Sequence, residues 1–308
     1  MHAEAVEDDE RDYQDLKFLG ELFAINNGNI CCFLKKHSYS KNEYLIEGIF
    51  VTIARMTADR DKRLRGDDSD WLRLNVIETF ECDYYIERLA RTFTFWVETK
   101  KNMKIALAGL ESFANLLTSD HNLQRIFTLE DDGWFDGYEP EVMRSTLIAI
   151  KTWGAESVSV AMASFNISAV LCTHYDGKRE LSKPENLTVL VSIFEIHSRG
   201  RYAYGLGKGF VKFLHRISHR ISDKDKAFFE SLGVESLVRS RILEHEVWGR
   251  MIFEEDAPMD EMILLATALL CRLGSPLPSA SSNHEQYLPA SANVTSGIIN
   301  KKKKKKTK

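Results

Sequence analysis

The chain has 308 residues, of which 44% are hydrophobic and 28% are charged. This composition is typical of a globular protein and is too apolar for a wholly disordered one. No stretch reaches the roughly 18 consecutive apolar residues that a transmembrane helix needs, so the sequence predicts no membrane span.

The formal net charge of −4 conceals two oppositely charged ends. Residues 1–15 contain seven acids and one arginine, whereas residues 301–308 contain seven lysines. Without those lysines the chain has 34 basic and 45 acidic residues, a net charge of −11. Because such a body repels phosphate backbones, we predict that it binds no nucleic acid. The lysine run fits a nuclear import signal and an incidental product of adenine-rich codons equally well.

The cysteines also restrict the class of protein. They are odd in number, scattered and without a C-x-x-C pair: Cys31, Cys32, Cys82, Cys172 and Cys271. This pattern argues against a disulfide framework and a zinc ribbon, and we predict neither a metal nor a cofactor. The acidic N-terminus is unlike a secretory signal, so we expect a cytoplasmic or nuclear protein.

In chain order, the sequence predicts a disordered acidic leader (1–12), a helical domain (13–274) and a disordered tail (275–308) that is rich in Ser and Pro. Only Pro140, Pro184 and Pro258 precede Gly274, and this scarcity permits long helices. Apolar periodicity and turn signals place helices at 13–25, 30–37, 41–57, 69–81, 83–99, 102–118, 121–128, 139–153, 155–172, 184–197, 203–218, 223–232, 234–248 and 257–273. Ser40 and Ser222 are the expected N-caps of two of them. The fold class is therefore all-α.

Five of these helices share one apolar spacing of i, i+3, i+7 and i+10, which places the residues on one face. The spacing begins at Ile46, Leu107, Met162, Gly207 and Ile263, and after each of the first four it is followed by a polar helix end and a short new helix. Residues 106–133, ALAGLESFANLLTSDHNLQRIFTLEDDG, resemble an armadillo unit. The resemblance covers residues 41–273 and implies an irregular armadillo/HEAT-type α-solenoid, in which neighbouring units share a core. A compact, non-repetitive helical bundle is the alternative.

Armadillo proteins that grip extended peptides carry an asparagine at one position of each final helix. Asn115 occupies this position in the best unit, but the corresponding residues elsewhere are Ala54, Val170, His215 and Cys271. We therefore expect a surface that binds through varied side chains rather than a repeated asparagine groove.

Two segments resemble nucleotide-binding motifs but lack residues or spacings that those motifs require. Residues 179–186 resemble a kinase catalytic loop with one residue too many, and a helix that starts at Pro184 explains them better. Residues 200–209 contain four glycines, but Gly209 stands where a P-loop needs Ser or Thr. Close helix packing is the better interpretation of these glycines.

His215 and His219 lie four residues apart, as two metal ligands on a helix would, but the sequence offers no third ligand. With Lys212 and Arg216 they form a basic strip without an acid on the same helix. We predict that this strip and Asn115 bind a protein partner, for which an acidic segment is the candidate. The acidic leader is expected to compete for the strip.

Trp134 lies in a loop of weak periodicity and is a further candidate for partner contact. No nucleophile–base pair or cofactor loop is complete. We therefore predict a non-enzymatic protein–protein interaction scaffold. The alternative is a helical hydrolase or transferase whose site forms only in three dimensions.

Overall fold

The computed structural model describes residues 41–58, 68–81, 85–128, 141–199, 203–219, 222–243 and 261–274. The acidic leader, the helices predicted at 13–25 and 30–37, Trp134 and the tail lie outside these ranges. Within the described ranges the fold is all-α, without a strand, as the sequence predicted. Residues 187–196, which are β-branched and apolar, belong to a helix.

Thirteen α-helices lie in the described ranges. They are α1 (Glu43–Thr57), α2 (Asp68–Glu81), α3 (Tyr85–Thr94), α4 (Met103–Leu116), α5 (Asp120–Phe127), α6 (Glu141–Trp153), α7 (Val158–Leu171), α8 (Tyr175–Leu181), α9 (Pro184–His197), α10 (Ala203–Ile217), α11 (Asp223–Ser231), α12 (Val234–Val238) and α13 (Glu261–Leu273). Helices α3 and α12 continue as π-helical turns at Phe95–Thr99 and Arg239–Leu243. None of these helices is long and apolar enough to cross a membrane.

Side-chain caps explain where several helices begin. The Ser222 hydroxyl accepts from Asp225 N, whose carboxylate in turn accepts from Ser222 N, which confirms the predicted cap of α11 as a full capping box. Helix α1 is capped by Asn42, whose Oδ1 accepts from Leu45 N at 3.3 Å. The predicted cap Ser40 lies outside the described residues. Helix α9 begins at Pro184, as predicted, because proline lacks the N–H that the first helical turn leaves unpaired.

The five helices that share the apolar spacing pack as a consecutive row. Helix α1 packs on α4, α4 on α7, α7 on α10, and α10 on α13. We call these five the row helices. Within the described ranges, each interval along the chain between two row helices contains two further α-helices, which pack beside the row. The helices are therefore packed in series, an arrangement that is compatible with a helical solenoid.

Two phenylalanine clusters form the centre of the core, and each joins two row helices through a helix between them. Phe50, Phe93 and Phe113 lie with ring centroids 5.4 to 6.4 Å apart. The second cluster consists of Phe165, Phe194 and Phe210, and its rings Phe194 and Phe210 are stacked at 3.9 Å. All six rings are fully buried. Apolar burial of this kind stabilises each contact between row helices.

Candidate protein-binding surface

The row helices α4, α7 and α10 each leave one stripe of side chains exposed or half-buried. The stripes consist of Lys104, Leu107, Glu111 and Asn115 on α4, of Ser159, Met162, Asn166 and Val170 on α7, and of Tyr204, Lys208, Lys212 and His215 on α10. On α4 and α7 the spacing is the same, at i, i+3, i+7 and i+11. We call these twelve residues the row surface. It combines apolar, amide and charged groups, which suits contact with a protein better than with a single small ligand.

Glu111 is an exposed residue of the row surface, yet desolvation by the surrounding protein raises the pKa of its carboxyl above the ordinary value. A partner that covers Glu111 would raise this pKa further.

Glycines allow α7 and α10 to approach closely. A Cβ added at Gly205 would lie 2.8 Å from Met162 Cε, and one added at Gly209 would lie 2.9 Å from Asn166 Oδ1. Both distances are too short for an ordinary side chain. The predicted packing role of these glycines is thus confirmed, and it places Met162 and Asn166 against α10.

Asn115 stabilises a helix junction. Its Nδ2 donates to the carbonyl of Ala54, in the last turn of α1, at 3.1 Å. Carbonyls in a last helical turn have no partner within their own helix, so this bond satisfies a group that would otherwise need water. The binding role predicted for Asn115 stays a prediction, and its amide also has this structural role.

Arginines have the same role farther along the row. Arg216 Nη1 donates to the carbonyl of Ala169 near the end of α7. Arg272 Nη1 donates to the carbonyl of His215 near the end of α10, at 2.7 Å. Arg216 and Arg272 stand nine residues after Gly207 and Ile263, where their apolar spacings begin. That shared position is the signal that could have identified Arg272 from the sequence.

An acid from another helix reaches the basic strip, which has none on α10 itself. Glu261 Oε2, from the first turn of α13, lies 3.0 Å from Lys212 Nζ and 3.4 Å from Lys208 Nζ. Desolvation raises the pKa of Glu261, but the hydrogen bond and the charge of Lys212, together with Lys208, lower it by more. Lys212 is therefore paired with an acid, although it remains part of the row surface.

His215, Arg216 and His219 belong instead to a cluster of positive charge that includes residues from two other helices. Burial lowers the pKa of His215, and the charges of Arg272, His219 and Arg216 lower it further. Lys178, on α8, donates from Nζ to the carbonyl of His219. We call Lys178, His215, Arg216, His219 and Arg272 the cationic cluster. The sequence did not connect Lys178 with it, because no periodicity relates α8 to the end of α10.

Cys172 lies beside this cluster but has no nucleophilic character. Desolvation raises the pKa of its thiol to about 12, although the charges of Arg216 and Lys178 act in the opposite direction. The thiol is therefore protonated at neutral pH, when only a thiolate would attack a substrate or bind a metal. In the described ranges, no group of three or more His, Cys, Asp or Glu side chains could hold a metal ion.

The kinase-like segment has a structural explanation. Asn186 Nδ2 donates to the carbonyl of Glu180 at 3.0 Å and thereby joins the end of α8 to the start of α9. Glu180 itself lies 2.5 Å from Lys183 Nζ. The two polar residues of the segment, Glu180 and Asn186, therefore contact each other at the α8–α9 junction.

Comparisons of this chain with known protein families, with curated proteins and with solved structures find no match.

Proposed function

We propose that this protein is a non-enzymatic interaction scaffold that presents the surface of an irregular α-solenoid to a protein partner. The observation that carries the proposal is the row of five helices with matching exposed stripes on α4 and α7. Repeated helices that expose the same positions create a long continuous surface, which is how solenoids bind their partners.

The pattern of contacts supports a solenoid in preference to a compact bundle. If a unit consists of a row helix and the two helices before it, the larger helix–helix contacts of the described ranges join helices of one unit or of adjacent units. In a compact bundle, helices distant in the sequence would also share extensive contacts. Three helices per unit is the arrangement that the armadillo resemblance implies.

The row surface supports a protein as the ligand. Its central positions carry Leu107, Met162 and Val170, which are half-buried and offer apolar contact area. Glu111 and Asn166 are exposed between them and supply polar groups that would define the register of a partner. A partner with apolar residues and a locally acidic segment matches both the row surface and the nearby cationic cluster.

The experiment that tests the proposal is capture of partners from cell extract on the immobilised full chain, followed by reconstitution of the complex from purified proteins. The test variant is Glu111→Lys with Asn166→Lys, which changes two exposed positions of the row surface. The matched control is Glu195→Lys with Thr188→Lys, two exposed positions on α9. Both variants raise the net charge by the same amount.

We expect a stoichiometric partner with the unaltered chain and the α9 control, and at least about tenfold weaker binding with the row-surface variant. Circular dichroism verifies that all three chains are equally helical. Equal binding by the two variants would refute the row surface as the interface. Conversion of a small-molecule substrate by the purified chain would favour the enzyme alternative.

A further inference from the structure

We propose that the cationic cluster is an anion site for an acidic peptide segment of the partner, and that its occupation is coupled to protonation of His215. The inference rests on the proposed function, because it specifies the chemistry of the partner and how pH regulates its binding. The site extends across two units of the row.

Backbone bonds hold the cluster together. Arg216 reaches from α10 to the end of α7, Arg272 reaches from α13 to the end of α10, and Lys178 reaches from α8 to the carbonyl of His219. A guanidinium has five N–H donors, and one of them is used in each of these arginine bonds. The bond to the carbonyl fixes the arginine, so little side-chain entropy remains to be lost when an anion binds.

Acids of the described ranges do not neutralise the arginines and histidines of the cluster. Within those ranges, no carboxylate lies at ion-pair distance from Arg216, Arg272, His215 or His219. The acids on nearby elements have other partners: Asp176 with Arg179, Glu180 with Lys183, and Glu261 with Lys208 and Lys212. Burial is the main cause of the lowered pKa of His215, and the uncompensated charges of Arg272, His219 and Arg216 lower it further.

The cationic cluster carries more positive charge than the helix ends beside it need. Cations at the ends of α7 and α10 compensate the helix dipoles, each of which amounts to about half a negative charge. Two helix ends thus need about one positive charge. Arg216 and Arg272 alone supply two permanent charges, and His215 adds a third when it is protonated. The excess remains for a ligand.

A short acidic peptide fits this charge distribution better than a nucleic acid does. The chain without its lysine tail carries a net charge of −11, which repels a long polyanion. At physiological ionic strength screening limits each charge to about 8 Å, so a few carboxylates experience the local cluster more than the whole body. Carboxylates also form bidentate pairs with guanidinium groups.

The coupling to pH follows from the sign of the shift at His215. In the free protein, burial and three neighbouring cations favour the neutral imidazole. A bound carboxylate offsets those cations and raises the pKa of His215, so binding takes up protons. Affinity for the acidic segment is therefore expected to increase as pH falls from about 7.5 to about 5.5, the range in which histidine titrates.

The test uses fluorescence anisotropy of a labelled oligoglutamate peptide with the full chain, and an oligoglutamine peptide as the uncharged control. The variant Lys178→Gln with His219→Gln removes cluster charges without removing either junction arginine. The matched control, Lys151→Gln with Lys224→Gln, removes two exposed lysines from α6 and α11. A third variant, His215→Gln, removes the titrating group.

We expect the unaltered chain to bind oligoglutamate and not oligoglutamine, with several-fold tighter binding at the lower pH and weaker binding at high salt. Lys178→Gln with His219→Gln is expected to weaken binding by about tenfold or more, and the lysine control by less than about twofold. The histidine variant is expected to lose the pH dependence.

Failure of oligoglutamate to bind, or equal loss in the cluster variant and the lysine control, would overturn the anion site. Persistence of the pH dependence in the histidine variant would overturn the proton coupling. Tighter binding of a single-stranded RNA than of oligoglutamate would overturn the assignment to an acidic peptide. None of these results depends on capture by the row surface, so they are distinct from failure of the proposed function.

Discussion

At the junction between α1 and α4, the neutral amide of Asn115 donates to the carbonyl of Ala54, whereas Arg216 and Arg272 have this role between the later row helices. All three bonds satisfy a carbonyl in a final helical turn. Only the arginines add charge to the junction. A helix-end carbonyl thus accepts from a neutral amide at one junction and from a cationic guanidinium at the others. The guanidinium groups also add positive potential around their junctions.

The hydrophobic cores beneath these junctions do not share this difference. Each contains three fully buried phenylalanines from two row helices and a helix beside them. Stability should therefore depend on both cores in the same way, and binding of anions should depend on the cationic cluster and not on the Asn115 junction.

The largest expected effect comes from removing one ring of each core. Phe93→Ala and Phe194→Ala each remove a fully buried phenylalanine, and we expect each to lower the free energy of unfolding by about 3–5 kcal/mol. Urea unfolding followed by circular dichroism measures the change. A loss at one core that is less than half the loss at the other would show that the two regions are not equivalent.

The second prediction separates the junctions. Arg216→Met and Asn115→Leu each remove a bond to a helix-end carbonyl, and we expect losses of about 1–3 kcal/mol in the free energy of unfolding. Only Arg216→Met should also weaken oligoglutamate binding, because only it removes a charge. If Asn115→Leu weakened that binding as strongly, the effect would arise from the fold and not from the local field.

Most of the fold could be predicted because its signals are local. The apolar spacings that begin at Leu107 and Met162 continue through buried residues and so specify the core face of α4 and α7, and neighbouring units repeat them. The exception is α8, because none of the predicted helices lies between residues 172 and 184. Gly177 lies so close to the carbonyl of Leu171 that a side chain there would clash, so the glycine serves close packing and not a turn.

The candidate site was less predictable because its contacts join distant segments. The pairing of Lys212 with Glu261 brings an acid onto a strip that reads as purely basic within α10. Charge interactions of this kind have no sequence period. The positive charge of Arg216 is evident from the sequence, but its carbonyl partner Ala169 lies on another helix, 47 residues away in the chain.

The third prediction concerns how pH affects the free protein. The pKa of His215 is lower in the folded state than the ordinary value of about 6.5. The unfolded chain therefore binds this proton more readily, and folding stability is expected to fall as pH falls through about 6.5. His215→Gln should show a smaller loss over this range in urea unfolding without added peptide. An equal loss in both chains would assign the pH dependence to other groups.

The smallest expected effect distinguishes surface pairs from junction bonds. Glu261 is about half exposed and pairs with Lys212 and Lys208, so Glu261→Gln should cost no more than about 1 kcal/mol at neutral pH. Because its pKa is lowered in the folded state, this contribution is present above about 4.5 and is lost as pH falls through the lower folded value. The cost should also shrink in high salt, since exposed charges are screened. Glu195→Gln, a change at an exposed carboxylate of α9, provides the control in urea unfolding. If Glu261→Gln cost as much as Arg216→Met and resisted salt, the Glu261 pair would itself be a structural junction, and the contrast between junctions and surface charges would fail.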